Sequence, residues 1–117
     1  MNKPKKIGLF GFGVVGKGVF EILSKYPLPP AKIEKVCVKR LDLERINHEL
    51  YFTTDPDELL NDPTIDIIIE VISDPISAKN IVYKALSNGK AVISANKKMI
   101  AESLHEVNEW HLSLIHI

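Results

Sequence analysis

The sequence predicts an α/β domain with a doubly wound parallel sheet of the Rossmann type. Candidate strands alternate with candidate helices along all 117 residues. A Gly-x-Gly-x-x-Gly pattern at residues 11–16 lies between the first strand and the first helix. Residues 65–72 are nearly all β-branched, which is typical of a central parallel strand covered on both faces. We expect about five strands, in a sheet that is incomplete at its C-terminal end.

Composition limits the class of protein. The chain is 45% hydrophobic and 26% charged, with a formal net charge of zero, as expected of an ordinary soluble domain rather than a nucleic-acid or anionic-membrane binder. No signal peptide is visible and no apolar run approaches the roughly 20 residues that span a membrane, so we expect neither a secretory leader nor a membrane span. The lone cysteine, Cys37, excludes an internal disulfide, and we expect it to be a small buried hydrophobe. We predict a cytoplasmic protein without nucleic-acid or membrane partners and without a metal site.

The first strand, residues 7–10, leads into the glycine pattern. Gly11 allows a tight strand-to-helix turn, Gly13 lets a pyrophosphate approach the backbone, and Gly16 lets the helix pack closely on the strand. The free N–H groups at the start of helix 14–25 would face the anion. The alternative is a tight turn without a ligand. The predicted contacts of a dinucleotide in this loop are Gly11, Phe12, Gly13, Val14, Val15 and Gly16.

The following elements are assigned from periodicity and caps. Helix 14–25 is expected to bury Val15, Val19, Phe20 and Leu23 on one face. Prolines end it before the second strand, residues 32–38. Residues 41–50 are a loop or a short helix, and residues 51–53 form a third strand.

A capping signal follows the third strand. Asp55 is expected as an N-cap, Pro56 as the first helical residue and Glu58 as a capping-box glutamate. The short helix that they start is expected to run through Leu60.

Two basic residues follow the second strand, where an acidic residue would bind the ribose 2′-hydroxyl of NAD. Lys39 and Arg40 suit a 2′-phosphate instead. We therefore predict NADP(H) as the preferred cofactor, with NAD(H) as the alternative. Both side chains could also be solvated surface charges.

The end of the fourth strand is expected beside the nicotinamide ribose. Ile72 and Ser73 are predicted contacts, and Ser73 could equally be a plain turn residue. Asp74 is better explained as the N-cap of the next helix. That helix is expected to run to residue 88, before Gly89, with a buried stripe of Ile81, Val82, Ala85 and Leu86.

The fifth strand, residues 91–94, ends in polar residues. Ser94, Ala95, Asn96 and Lys97 would lie where nicotinamide and substrate meet. Asn96 could also cap the last helix, which starts near residue 98 and is expected to turn Met99, Leu104, Val107 and Trp110 inward. Lys97 could orient a substrate or transfer a proton, although a surface lysine fits the chemistry equally well.

Four blocks together resemble the nucleotide-binding domain of homoserine dehydrogenase, over about residues 5–110. They are residues 11–18, 36–40, 66–72 and 89–101, and the last, with its Ser-Ala-Asn-Lys-Lys, is the most specific. The resemblance implies that Lys97 is a catalytic lysine at the substrate site and that Ser94, Ala95 and Asn96 neighbour the cofactor. Arg40 matches the basic residue of the family. Ser73 and Asp74 depart from the Gly-Gly that many members have.

The resemblance also implies a reaction, the reversible NAD(P)-linked interconversion of aspartate semialdehyde and homoserine, on the way to threonine, methionine and isoleucine. It implies a homodimeric full-length enzyme with a separate catalytic domain. We therefore expect residues 1–111 to be the NAD(P)-binding domain of a fragment that is inactive alone. The sheet would stop at strand five and leave a bare edge.

Residues 112–117 are expected to be a non-native tail, because they break the helical pattern. The codons CTG TCT CTT ATA CAC ATC would encode them, and this nucleotide sequence matches a transposon mosaic-end adapter used in preparing sequencing libraries. A natural amphipathic ending is the alternative, and the nucleotide sequence distinguishes the two.

Two other functions compete with this interpretation. An oxidoreductase of the glucose–fructose oxidoreductase type has a related sheet, but it usually carries Glu-Lys-Pro where this chain has Ala95, Asn96 and Lys97. A non-catalytic nucleotide-sensing module is the second alternative.

Overall fold

The computed structural model describes residues 5–25, 31–102 and 114–116, and only the backbone of residues 97, 100, 102 and 114–116. Strands and helices alternate along these residues, as predicted. In the described part of the chain, no helix is both long and apolar enough to cross a membrane. The elements are β1 (Lys5–Phe10), α1 (Val14–Lys25), β2 (Ala31–Cys37), α2 (Leu43–Ile46), β3 (Tyr51–Thr53), α3 (Asp57–Leu60), β4 (Ile67–Glu70), α4 (Pro75–Ser87), β5 (Ala91–Ser94), α5 (Lys97–Glu102) and β6 (Leu114–His116).

The sheet has the order β3-β2-β1-β4-β5-β6, and every neighbouring pair is parallel. The chain builds outward from β1 to β3 and then crosses to the other side of β1 to form β4. This order confirms the doubly wound fold. It also places a topological switch point between β1 and β4, where ligands of such sheets bind beyond the carboxyl ends of the strands.

Both faces of the sheet are buried. Alternate residues of β4 point to opposite faces, so Ile68 belongs to one apolar cluster and Ile69 to the other. The first cluster packs α3 and α4 against the sheet and includes Leu59, Val82 and the predicted Met99. The second receives the partly buried side of α1. Burial of both faces explains why β4 lacks the polar alternation of a half-exposed strand.

Local signals set most of the helix ends. The carboxylate of Asp74 accepts a hydrogen bond from the N–H of Ser77 at 3.1 Å, which confirms it as the N-cap of α4. That helix ends before Gly89, as predicted. Helix α1 has the predicted bounds, but Val15 is 53% exposed. The prediction that Val15 is buried was wrong, because the first turn of α1 lies at the edge of the sheet, beyond the strands that cover Phe20 and Leu23.

The capping box predicted at α3 does not form. The side chain of Asp55 does accept a hydrogen bond, from the N–H of Asp57 at 3.0 Å. Glu58, however, accepts hydrogen bonds from the hydroxyls of Tyr51 and Thr53 on the neighbouring strand. These hydroxyls compete successfully for the carboxylate, so the prediction for Glu58 was wrong.

The sheet does not stop at five strands. Residues 114–116 form β6, which pairs in parallel with Val92, Ile93 and Ser94 of β5. The expected bare edge of β5 is therefore covered, because its free backbone groups pair with this segment. Leu104, Val107 and Trp110 lie outside the described residues, and the origin of residues 112–117 stays a prediction.

One buried cation ties two segments together. Lys90 is 6% exposed, and its ammonium donates hydrogen bonds to the carbonyl oxygens of Asp62 and Ile65 at 2.6 and 2.7 Å. It thereby fixes the turn that precedes β4 to the start of β5. Both contacts lie at the amino ends of the strands.

We expect Lys90→Met to lower the free energy of unfolding by about 2 kcal/mol, because buried carbonyl oxygens lose their charged donor. Urea denaturation measures the loss. Lys84→Met is the control, since Lys84 forms an exposed 3.9 Å ion pair with Asp57, a kind of pair whose loss costs less than about 0.5 kcal/mol. Equal effects of the two substitutions would contradict the structural role of Lys90.

Candidate functional site

The glycine loop is anchored to the strands on both sides of β1. The N–H of Gly11 donates to the carbonyl oxygen of Cys37 at the end of β2, at 3.0 Å. The N–H of Val71 donates to the carbonyl oxygen of Phe10, also at 3.0 Å. The loop therefore leaves the sheet at the switch point with its position fixed by β2 and β4.

Close packing explains two of the glycines. Gly11 has a φ of +100°, a conformation that side chains rarely allow. A Cβ added at Gly16 would collide with the carbonyl oxygen of Gly11. Gly16 thus brings the first turn of α1 directly onto the loop, and both predicted roles are confirmed.

The third glycine faces open space. A Cβ at Gly13 would meet no heavy atom within 4 Å among the described residues outside its chain neighbours. The helical hydrogen bonds of α1 begin with the N–H of Lys17 on the carbonyl oxygen of Gly13, at 2.9 Å. The N–H groups of Val14 and Val15 precede that bond and have no helical carbonyl to bind. The first turn of α1 carries no acidic residue, so this surface fits an anion.

The side chain of Phe12 anchors the glycine loop to the core. Its ring is 6% exposed and lies 5.0 Å from the ring of Phe52, 5.6 Å from that of His48 and 6.2 Å from that of Phe20, between centroids. Its side chain is thus part of the core, and only its backbone faces the loop surface. Sequence reasoning gave His48 no role, although its Nδ1 accepts a hydrogen bond from the N–H of Leu50 at 3.0 Å.

The end of β2 carries the predicted cations. Lys39 and Arg40 are both exposed. A third basic residue, which sequence reasoning missed, joins them, because Nη1 of Arg45 donates to the carbonyl oxygen of Arg40 at 2.8 Å. The carboxylate of Asp42 is engaged as the N-cap of α2, accepting from the N–H of Arg45 at 2.9 Å. The segment is therefore a short cationic turn held in place by its own cap.

The charge of Lys39 also affects the segment that follows β4. The pKa of Asp74 is lowered chiefly by its hydrogen bonds with Ser77, and the charge of Lys39 adds a smaller effect. The end of β2 thus contributes positive charge to the segment after β4 as well as to its own turn.

The ends of β4 and β5 are joined by side-chain hydrogen bonds. Asn96 is 7% exposed, and its Nδ2 donates to the carbonyl oxygen of Ile72 at 3.0 Å. Its Oδ1 accepts from the N–H of Met99 at 2.9 Å, which confirms Asn96 as the cap of α5. The N–H of Ala95 donates to the carbonyl oxygen of Glu70 at 3.0 Å. The structure thus brings Ile72, Ala95 and Asn96 together.

Glu70 is the residue of this edge that sequence reasoning missed. It is fully buried, and its carboxylate accepts from the N–H of Ile72 at 2.9 Å and from the hydroxyl of Ser94 at 2.6 Å. Burial raises its pKa, and the hydrogen bonds from Ser94 and Ile72 oppose that shift. The available signal was a carboxylate that follows three consecutive isoleucines in a strand expected to be buried, since buried acids are rare without a specific partner.

Ser73 and Lys97 are the remaining predicted site residues. Ser73 is exposed beside the buried network. Lys97 is the first residue of α5, and its side chain lies outside the described residues. Cys37 is buried as predicted, and burial raises the pKa of its thiol to about 11. The described residues include no cluster of His, Cys, Asp or Glu that could hold a metal ion.

A cleft of about 540 Å³ lies at the opposite edge of the sheet. It is formed by the end of α1 and the amino ends of β2 and β3, and it includes none of the predicted site residues. The carboxyl edge therefore remains the candidate site.

Comparison with known proteins gives one family. A family model described as the NAD-binding domain of homoserine dehydrogenase matches residues 11–111. A homoserine dehydrogenase of Methylobacillus glycogenes is 35% identical over 108 residues, which are 85% of this chain and 26% of that protein. One of Bacillus subtilis is 34% identical over 109 residues, covering 85% of this chain and 25% of the relative. The chain thus spans about a quarter of the length of the curated relatives it matches.

Solved structures agree with this comparison. A homoserine dehydrogenase of Thiobacillus denitrificans superimposes with a TM-score of 0.87 at 30% identity, over 97% of this chain and 29% of that one. A homoserine dehydrogenase of S. aureus, at pH 7.0, gives a TM-score of 0.82 at 29% identity, over 97% of this chain and 32% of the other.

The glycine packing predicts opposite effects for two similar substitutions. Gly16→Ala should lower the free energy of unfolding by about 2 kcal/mol, because its Cβ meets a backbone carbonyl that cannot move aside cheaply. Gly18→Ala, in the same helix, meets nothing within 4 Å among the described residues and should raise that free energy by up to about 1 kcal/mol. Thermal and urea unfolding of the two variants measure both effects. A neutral Gly16→Ala would contradict the packing described.

The raised pKa of Glu70 predicts a pH dependence. An acid whose pKa is higher in the folded state favours folding below its ordinary pKa of 4.5 and loses that contribution as pH rises through the folded value. Glu70→Gln lacks this effect, so its stability relative to the unmodified chain should improve between about pH 4 and about pH 7. Urea denaturation at the two pH values measures the change. Other acids also titrate differently in the folded state; hydrogen bonds from Thr64, for example, lower the pKa of Asp62 to about 2. Their contributions to stability are the same in both proteins and cancel in the comparison. A pH-independent difference would contradict the burial of an ionisable Glu70.

Proposed function

Since this chain belongs to the homoserine dehydrogenase family through its NAD-binding domain, we propose that it binds a nicotinamide dinucleotide across the carboxyl edge of its sheet. The observation that carries the proposal is the open space at Gly13, beside the first turn of α1. There a pyrophosphate can approach the backbone and receive hydrogen bonds from the helix N-terminus. The close approach of Gly16 to Gly11 supports the same site, because it keeps the first turn of α1 directly against the glycine loop.

The two halves of the dinucleotide extend to opposite sides of the switch point. The adenosine half lies over the end of β2, near Arg40. The nicotinamide half lies over the ends of β4 and β5, near Ile72, Ser73, Ser94, Ala95 and Asn96. This orientation follows from the sheet order, because β2 and β4 flank β1 on its two sides.

NADP(H) is the preferred cofactor in this proposal. Arg40 is exposed at the position where an acid would select the free ribose hydroxyl, and its carbonyl holds the guanidinium of Arg45 beside it. Guanidinium groups bind phosphate oxygens in a bidentate manner. Lys39 contributes less to the 2′-phosphate than Arg40, because an ammonium is a point charge and does not bind two phosphate oxygens in the bidentate manner of a guanidinium.

The full-length protein would interconvert aspartate semialdehyde and homoserine. When bound, the dinucleotide supplies or accepts the hydride at the carbonyl carbon. Asn96 fixes the start of α5 by capping it, and that start is Lys97. Lys97 then gives or takes the proton at the substrate oxygen. The cofactor half of this machinery lies in the present chain, and we assign the other substrate contacts and the homodimer interface to the part of the full-length protein outside it.

We place the full-length enzyme in the cytoplasm, in the biosynthesis of threonine, methionine and isoleucine. Zero net charge supports a small-molecule role rather than one in nucleic-acid binding. The family match favours this function over an oxidoreductase of the glucose–fructose type.

Calorimetric titration of the chain tests both parts of the proposal. We expect NADPH to bind more tightly than NADH, and Arg40→Ala to remove most of that preference by weakening NADPH about tenfold, as for the loss of a charged hydrogen bond. Lys39→Ala is the matched control and should reduce the preference less. Equal affinities for the two cofactors in the unmodified chain would refute the 2′-phosphate role. If the unmodified chain binds neither cofactor, the proposed dinucleotide site is refuted.

A further inference from the structure

Glu70 is the centre of a hydrogen-bonded unit that joins three segments of the carboxyl edge. One carboxylate oxygen accepts from the N–H of Ile72, and the other accepts from the hydroxyl of Ser94. The oxygen of Ser94 in turn accepts from the N–H of Asn96 at 3.2 Å. Asn96 closes the unit through its side-chain bond to the carbonyl oxygen of Ile72 and its cap on α5.

Three bonds of this unit lead toward the carboxylate of Glu70. The N–H of Asn96 donates to Ser94, and Ser94 donates to Glu70, which also receives the N–H of Ile72. A carboxylate accepts at both oxygens and so satisfies the N–H of Ile72 and the hydroxyl of Ser94 together, whereas an apolar residue of similar size satisfies neither. The arrangement therefore depends on the carboxylate of Glu70.

The neighbouring strands need no such device to pair. Backbone hydrogen bonds connect β1 to β2 and β4 to β5, and the other residues of β4 are isoleucines that add apolar burial. Burying an ionisable group costs free energy that an apolar residue would not. The described partners of Glu70 are neutral donors, so stability alone does not account for a carboxylate at this position.

We propose that Glu70 is a positioning residue for the nicotinamide half of the cofactor, a role that rests on the proposed function. Its carboxylate holds the backbone at Ile72 and the Ser94–Asn96 segment in one fixed arrangement at the site where the nicotinamide ribose and ring bind. It acts through these neighbours, since it is fully buried and presents no surface to a ligand. The end of β2, which receives the adenosine half, lies outside this unit.

The test compares two ligands that share only the adenosine half. NADPH and 2′,5′-ADP are titrated into the full chain and its Glu70→Ala, Glu70→Gln and Ser94→Ala variants, with circular dichroism to confirm folding. We expect Glu70→Ala to weaken NADPH about tenfold and 2′,5′-ADP less than about twofold. Ser94→Ala should likewise weaken NADPH more than 2′,5′-ADP, with a smaller loss of NADPH affinity. Glu70→Gln, which keeps an acceptor for Ile72, should recover part of the NADPH affinity.

Lys90→Met is the control for a merely structural effect, because Lys90 is also a buried, hydrogen-bonded charge but lies at the amino end of β5. It should change the two affinities by the same factor. If Glu70→Ala does not fold, the difference between the NADPH and 2′,5′-ADP losses in Ser94→Ala tests the proposal instead. Equal losses for both ligands, or an unchanged NADPH affinity in both variants, would overturn the role of Glu70. Failure of the unmodified chain to bind either ligand would overturn the proposed function itself, and this inference with it.

Discussion

The contact between the first turn of α1 and the glycine loop is the constraint on which the rest of this structure depends. The loop reverses direction at Gly11 with a positive φ, and Gly16 lies so close to it that no side chain fits between them. Because helix and strand are in contact here, the start of the helix stays at the sheet edge, where its N–H groups are exposed. Phe12 secures the same loop from inside the core, through its contacts with three other rings. An anion site of this kind is therefore a consequence of packing as much as of charge.

The carboxyl edge uses different physical means on its two sides. On the side of β2, exposed cations on a short turn supply charge, and a cap at Asp42 keeps that turn in place. On the side of β4 and β5, buried neutral and acidic groups supply order, and little of their polar surface reaches solvent. The first arrangement suits recognition of a phosphate, whose charge acts over several ångströms. The second suits a flat ring that must lie at a defined position relative to a reacting carbon.

Much of the fold was predictable from the sequence, because its local signals agree with the tertiary structure. The bounds of α1, β3 and β5, and the cap at Asp74, depend on neighbouring residues and were confirmed. The errors concern residues whose environment is set by distant segments. Val15 follows the apolar period of its helix but lies beyond the sheet, and Glu58 binds hydroxyls of another strand instead of its own helix. The pairing of β6 with β5 and the bonds of Glu70 join strands that only the folded chain brings together.

The two anchors of the glycine loop also have a consequence for the order of folding. The carbonyl oxygen of Cys37 becomes available as soon as β2 has been synthesised, whereas the N–H of Val71 lies about sixty residues from Phe10 along the chain. Contacts of such long range form slowly, because the intervening chain must first lose conformational entropy. On the ribosome, a nascent chain that ends before β4 has only one side of its loop secured. The dinucleotide site is thus completed late, when the crossover to the second half of the sheet closes.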